Sequence, residues 1–249
     1  MSFSGQSTKK GQDAFVSRLY DLMDQCSRGN RPVMTSFLSL HEQETARNIC
    51  SGYVLSFDGG YPEAEKKRLL ISEVDLDLKP EVCCVRAEIP RFGKEITHPQ
   101  VLGTLMHEGI KREALGDIVC TPDAVWIFCT PAIGRFICEQ VPRIGSQMVN
   151  FFETEPDSMP APERETIQIN VPSMRTDAIV GALAHCSRAK AADLIRQGFV
   201  KVNDIVLEDN GRLCDNDVIS VRRTGRFRFV GVVNKTRKDR LVLEFQKYK

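Results

Sequence analysis

The sequence predicts an α+β chain of three small domains. These are a mixed α/β N-terminal unit, a ferredoxin-like βαββαβ central domain and an αα-β C-terminal domain. Three observations predict it. The length of 249 residues suits one large domain or two to three small ones. Helical and strand periodicities alternate along the chain with no internal repeat. Residues 153–166, ETEPDSMPAPERET, hold three prolines and five acids against one arginine, the composition of an extended, solvated linker. The boundaries read from this are 1–72 for the N-terminal unit, 73–152 for the central domain, 153–170 for the acidic linker and 171–249 for the C-terminal domain.

In the N-terminal unit, Phe15, Leu19, Leu22, Met23 and Cys26 recur on one face of a helix over 9–28, stopped at Gly29-Asn30. Ser39 and Glu42 have capping-box spacing, so a second helix runs over 40–50. Residues 52–57 read as a strand ended by Asp58-Gly59-Gly60.

The central domain begins with a strand at 82–89. A helix over 97–108 follows, with Val101, Leu102, Leu105 and Met106 inward. Strands at 117–120 and 124–130 are joined by the turn signal Thr121-Pro122-Asp123. A helix over 132–140 turns Ile133, Phe136 and Ile137 inward, and a last strand covers 144–152. This is the split βαβ order. It puts both helices on one face of the sheet and leaves the other face free. Trp126 and Phe128 share a strand face, and packing against the N-terminal unit is the reading for them.

In the C-terminal domain, Ser173 caps a helix running to about residue 186. Ser187 caps a second one, ended by Gly198. Residues 200–206 form a hairpin around Asn203-Asp204. Short strands follow at 218–222, 227–233 and 241–245.

Charge is balanced overall, with 34 Lys+Arg and 33 Asp+Glu. That excludes a polybasic chain that adheres to any polyanion. The balance hides an asymmetry. Residues 170–249 hold 16 Lys/Arg and 9 Asp/Glu, net +7, on a body that is net −6. A localised polyanion site on the C-terminal domain follows. The nine cysteines include no C-x-x-C and sit mostly in apolar runs. They read as small core hydrophobes of a reducing cytoplasm, not as metal ligands. No stretch approaches the roughly 18 apolar residues of a membrane span, and the first residues carry no export or transit pattern. The expectation is a cytoplasmic protein with no membrane partner.

The segment from Ser187 to Asn203, SRAKAADLIRQGFVKVN, fits the pattern S-R-x-x-A-x-x-L-I-x-x-G-x-V-x-V-N at every position. It resembles the S4 RNA-binding domain. The resemblance implies that two helices and the hairpin form the RNA-contacting surface. The RNA-binding set is Arg175, Ser187, Arg188, Lys190, Arg196, Lys201 and Asn203, continued by Arg222, Arg223 and Arg226. Arg188 and Arg196 lie about 80° apart on one helix flank, where each guanidinium fork can hold phosphate oxygens. The competing reading of any one of these cations is a solvated surface charge, and the set taken together argues against it. Three positions depart from the S4 pattern: Thr176 stands for Leu, Asp215-Asn216-Asp217 for Gly-Asp, and Arg223 for Gly. From Arg222 onward a basic tail carries ten Lys/Arg and two acids. Phe227 and Phe229 in it read as core residues of a strand, with base stacking as the other reading.

Two further segments extend the likeness. Gly59-Gly60-Tyr61-Pro62-Glu63-Ala64-Glu65-Lys66-Lys67-Arg68 is similar to a signature of the YlmH family of bacterial S4 proteins. So are His98 to Met106, Gly109-Ile110-Lys111-Arg112-Glu113 and Leu115-Gly116-Asp117-Ile118. This likeness implies an N-terminal domain, an RRM-like central domain and a C-terminal S4 domain. It also implies binding to rRNA and peptidyl-tRNA on the large ribosomal subunit, in ribosome-associated quality control of obstructed subunits. Lys66, Lys67, Arg68, Lys111 and Arg112 are secondary RNA-contact candidates, with ion pairs to Glu113 or Asp117 as the structural reading of the last two.

No catalytic motif stands out. Arg175-Thr176-Asp177 is only superficially like a pseudouridine synthase site, and Asp58-Gly59-Gly60 lacks the spacing of a methyl-donor loop. The reading is a non-enzymatic, monomeric RNA binder without cofactor, metal or small-molecule substrate. The alternatives left open are an RNA-modifying enzyme or its accessory subunit, and an RNA-binding adaptor tied to photosystem or cell-division functions.

Overall fold

The first helix, α1 (Ser4–Gly29), brings Leu19 against Leu38, Ala46, Cys50, Leu69 and Ile71, all almost fully buried. The computed structural model describes residues 4–90, 95–159 and 164–248. Asn30, in the left-handed region at φ 43°, turns the chain out of α1. After β1 (Val33–Met34), helix α2 (Leu40–Ile49) opens on a complete capping box. The Ser39 side chain accepts from the Glu42 N–H, and the Ser39 N–H donates to the Glu42 carboxylate at 2.8 Å. Strands β2 (Val54–Asp58) and β3 (Arg68–Ser72) complete an antiparallel sheet in the order β1-β3-β2. The sequence reading had no strand at 68–72, because Leu69-Leu70-Ile71 is an apolar run without alternation.

The next sheet is antiparallel in the order β5-β6-β4-β9. It comprises β4 (Cys83–Glu88), β5 (Leu115–Cys120), β6 (Ala124–Cys129) and β9 (Phe151–Glu153). Helices α3 (His98–His107) and α4 (Pro131–Gln140) contribute Val101, Leu105 and Ile137 to one core with Val85, Val125, Ile127 and Phe151. Met106, expected inward, is exposed. The expected last strand over 144–152 is broken. A small hairpin, β7 (Arg143–Ile144) with β8 (Gln147–Met148), turns at Gly145 before β9 begins.

The face opposite the helices is not free, a correction to what the βαββαβ order alone suggests. It is covered, as expected for Trp126 and Phe128, by a residue of the N-terminal unit, Tyr61. Trp126 is 2% exposed and Phe128 0%, in a second core with Cys84, Tyr61, Val82 and Met159. Tyr61 stacks on Phe128 with ring centroids 4.6 Å apart. Gly60, at φ +90°, permits this, since a Cβ there would lie 2.6 Å from the Phe128 ring. Residues 10–159 accordingly form one compact unit by their contacts.

The rest of the chain forms a second unit with its own core, including Ile179, Val180, Ala191, Val200, Ile219, Phe229, Leu243 and Phe245. Its antiparallel sheet runs in the order β10-β15-β14-β13-β11-β12. The strands are β10 (Arg164–Val171), β11 (Val200–Val202), β12 (Ile205–Val206), β13 (Val218–Val221), β14 (Gly225–Lys235) and β15 (Leu241–Tyr248). Helices α5 (Thr176–Leu183) and α6 (Arg188–Arg196) lie between β10 and β11 in the chain.

One expectation is corrected here. Residues 164–170 are not linker. They form β10, paired residue for residue with β15 from Arg164↔Tyr248 to Val171↔Leu241. Residues 160–163 of the expected linker lie outside the described residues. The basic segment described as a tail belongs to the sheet: the strands expected at 227–233 and 241–245 are parts of β14 and β15, a long hairpin closed by a turn at 236–240.

Candidate nucleic-acid interface

In the C-terminal unit the chemistry gathers where α5 and α6 begin. Ser187 is the N-cap of α6, its hydroxyl accepting from the Lys190 N–H at 3.2 Å. This places Arg188 in the first helical turn. Arg175, rather than the expected Ser173, is the N-cap residue of α5. Both arginines reach the same carboxylate. Arg175 donates from Nε to Asp177 Oδ1 at 3.3 Å and from Nη2 to Oδ2 at 3.1 Å. Arg188 donates from Nε to Asp177 Oδ2 at 2.9 Å. The Asp177 side chain is 6% exposed and each arginine 54%. Burial works to raise the Asp177 pKa, but the bonds from Arg175 and Arg188 outweigh it and hold the carboxyl below its ordinary value.

Thr176, which stands where the S4 pattern has Leu, is 1% exposed and fully engaged. Its hydroxyl accepts from the Gly211 N–H at 3.0 Å and contacts Asn210 Oδ1 at 3.3 Å. Asn210 Oδ1 also accepts from the Asp177 N–H at 2.9 Å. The departure from Leu exchanges an apolar contact for a tie to the 210–211 loop.

The other cations of this unit are spread along its elements. Lys190 is exposed on α6. Arg196 is exposed and pairs with Asp193 on its own helix at 2.8 Å. Lys201 is exposed on β11. Arg222 lies over the Phe199 ring at 4.8 Å, Arg226 over the Tyr248 ring at 5.4 Å and 3.7 Å from Asp204. Arg223 is exposed in the β13–β14 turn at φ 66°. Asn203 plays a different part. Its amide donates to Asp217 at 2.7 Å and its Oδ1 accepts from the Val218 N–H at 2.9 Å. Asn203 and Asp204 at φ 49° and 70° shape the hairpin turn. Phe227 and Phe229 are only 2% and 1% exposed, so their rings are core and cannot stack on bases.

In the other unit the Lys66-Lys67-Arg68 run is largely occupied. Lys66 Nζ donates to the Leu115 carbonyl at 3.4 Å, and Arg68 donates to the Thr35 carbonyl at 3.0 Å and to that of Glu81. Burial lowers the Arg68 pKa. Lys67 is half-buried, its backbone bridged to Leu38. Lys111 and Arg112 are exposed, and no ion pair holds them among the described residues. The expected partner Asp117 is committed elsewhere. It accepts from the Tyr61 hydroxyl at 2.8 Å, the Glu65 N–H at 2.7 Å and the Lys66 N–H at 3.1 Å. Beside it Gly116 leaves room for the Phe37 ring, 2.6 Å from where a Cβ would stand. The two segments singled out in the sequence, 59–68 and 115–118, are therefore one clamp.

Sequence reasoning missed Asp177 and Asp117 as organising residues. Both lay in segments it singled out, one beside Arg175 and the other inside Leu115-Gly116-Asp117-Ile118. The missing signal was three-dimensional: an acid two residues from one arginine and eleven from another is a pair only once α5 meets α6.

Comparison with known proteins agrees with these two units in part. Residues 11–76 match the family model described as "YlmH, N-terminal", and residues 81–157 match "Putative RNA-binding domain in YlmH". The Ribosome-associated protein quality control protein P2 of Bacillus subtilis (strain 168) is 28% identical over 257 aligned positions, covering 100% of both chains. The solved structure of Cell division protein ylmH from Streptococcus pneumoniae shares the fold, with a TM-score of 0.52 and 18% identity. It covers 65% of this chain and 98% of that one. The glycine-rich clamp at 59–68 and its acceptor Asp117 fall inside the two matched segments, which together span more than half the sequence, and the relative aligns from end to end: the chain belongs to the YlmH family.

Proposed function

We propose that this protein is a non-enzymatic RNA binder. In this reading its C-terminal unit, an S4-type domain, binds rRNA and tRNA on the large ribosomal subunit, in quality control of subunits obstructed by peptidyl-tRNA. The observation that carries it is the exposed cation set Arg175, Arg188, Lys190, Arg196, Lys201, Arg222 and Arg223, borne by a unit whose core is complete without them. Such a surface holds phosphates rather than a small apolar ligand. Lys111 and Arg112 add a candidate contact on the other unit. The RRM-like sheet surface does not contribute, because Trp126 and Phe128 are covered. The relatives' names, one a ribosome-associated quality control protein and the other a cell division protein, support a ribosomal role and keep the division-linked reading in view. The chain acts as a cytoplasmic monomer in this proposal. No helix among the described residues is long and apolar enough to cross a membrane.

Co-sedimentation tests it. The protein is mixed with large subunits carrying peptidyl-tRNA and with empty ones, at low and high salt. Preferential recovery on the loaded subunits, falling steeply with salt, is the expected result. Equal recovery on both removes the specificity, and no recovery on either removes the ribosomal reading.

A further inference from the structure

We infer that Arg175 and Arg188 form one site for a single phosphodiester, and that Asp177 is the residue that positions both guanidinium groups. This rests on the RNA-binding reading and deepens it. Nη2 of Arg175 and Nε of Arg188 both donate to Oδ2 of Asp177, at 3.1 and 2.9 Å. The two nitrogens are thus no farther apart than those two distances laid end to end. Two guanidinium groups that close together cannot take separate, distant phosphates. The charge arithmetic agrees. Two cations over one carboxylate leave a net +1, the complement of one phosphodiester.

The donors that remain suit the task. Arg175 spends Nε and one Nη2 hydrogen on Asp177, and Arg188 spends Nε. Of five N–H donors per guanidinium, both keep Nη1 and its two hydrogens. Those groups belong to side chains 54% exposed, whereas the carboxylate beneath is 6% exposed. An approaching phosphate meets the arginines before it meets the anion. Asp177 is itself fixed, since its N–H donates to Asn210, whose side chain also meets Thr176. Two segments of chain, the starts of α5 and α6, therefore converge on one carboxylate, while the 210–211 loop holds the backbone that carries it. Pairs with a partner so exposed contribute little to stability. What the arrangement supplies is the orientation of two forks that would otherwise sample many rotamers.

The test is equilibrium binding of fluorophore-labelled tRNA by the full chain over a salt series. The variants are Arg175→Ala, Arg188→Ala, the double substitution and Asp177→Asn. Each single arginine variant should weaken binding on the order of tenfold. Each should flatten the slope of log K against log salt by about 0.7–0.9, the value for one phosphate. The double variant should lose clearly less than the two single losses added together, with a slope change still near that of one phosphate. Additive losses, or a slope that falls twice, mean two independent contacts and overturn the inference. Asp177→Asn removes a negative charge near the phosphate, which alone would tighten binding. A positioning role makes it weaken binding, so unchanged or tighter binding overturns that role. If Asp177→Asn does not fold, the arginine cycle decides alone. Where the double Ala variant is unstable, the cycle is repeated with Arg175→Gln and Arg188→Gln, whose amides can still donate to the Asp177 carboxylate. Arginine variants that bind fully, while Arg222→Ala or Lys201→Ala bind less, overturn this inference and leave RNA binding standing. A wild-type chain that binds neither tRNA nor large subunits overturns both.

Discussion

Arg223 shows how one residue can serve binding at a cost to folding. It sits at φ 66° in the turn between β13 and β14, a conformation that costs a residue with a Cβ about 1–2 kcal/mol and glycine almost nothing. Arg223→Gly should therefore stabilise the protein by up to about 1 kcal/mol, after allowing for the extra freedom of glycine in the unfolded chain. The same change removes an exposed cation, so tRNA affinity and its salt slope should fall if Arg223 holds a phosphate. Thermal melting and the salt series read the two effects separately. A melting temperature that drops would mean the turn does not carry that strain. At this scale the sequence was informative about where to look. It marked Thr176, Asn216 and Arg223 as departures from a pattern, and each has a distinct physical resolution. Thr176 ties down a loop, Asn216 adopts φ 71° as Asn can, and Arg223 bears strain. It could not show that Asn203 is spent inside the protein, because an amide facing Asp217 and one facing a base read alike in a string.

At the scale of elements the buried sheet face is the clearest lesson. Strand β6 reads Ala124-Val125-Trp126-Ile127-Phe128-Cys129, with no polar residue, and all six are buried. A strand apolar on both faces is covered on both, so the cover over Trp126 and Phe128 was legible in that run even though the βαββαβ order alone suggests an open face. What the sequence withheld was the means of attachment. The cover is clamped by Asp117, which takes one hydroxyl and two backbone N–H groups from the 61–66 segment. Asp117→Ala leaves all three donors without this acceptor. Bonds to a carboxylate contribute roughly 1.5–3 kcal/mol each and do not add fully, so a loss of about 3 kcal/mol is expected. Trp126 is the one tryptophan of the chain and lies on the clamped face, so its emission reports the event. The denaturation midpoint followed at Trp126 should move to lower denaturant, with tRNA binding at low denaturant retained. An unchanged midpoint would show that Tyr61 and Phe128 hold the cover without the carboxylate.

At the scale of the whole molecule, the question is where the C-terminal unit begins. Composition placed the linker through residue 170, because prolines and acids dominate the segment up to 166 and mask Ile167, Ile169 and Val171, an alternation that continues beneath it. That alternation is β10. It pairs with β15 over eight residues, Val171 is 1% exposed, and Ile167 and Ile169 pack against the core that holds Leu243 and Phe245. Cutting at 171 strips this strand and leaves β15 as a bare edge with apolar neighbours, the condition that favours aggregation. Two fragments therefore separate the readings. A fragment of 160–249 should melt cooperatively, stay in solution and keep most of the tRNA affinity and salt slope of the full chain, since the Arg175–Asp177–Arg188 cluster lies wholly within it. A fragment of 171–249 retains the same arginines but lacks the edge strand, and should melt without a sharp transition or aggregate on concentration. Calorimetry and sedimentation of the two fragments make the comparison. Equal melting of both would mean that β10 is an accessory strand and that the unit's stability lies in α5, α6 and the strands from β11 to β15. Loss of tRNA binding by a well-folded 160–249 fragment would instead move the principal RNA contact to the other unit, where Lys111 and Arg112 are the exposed cations to test first.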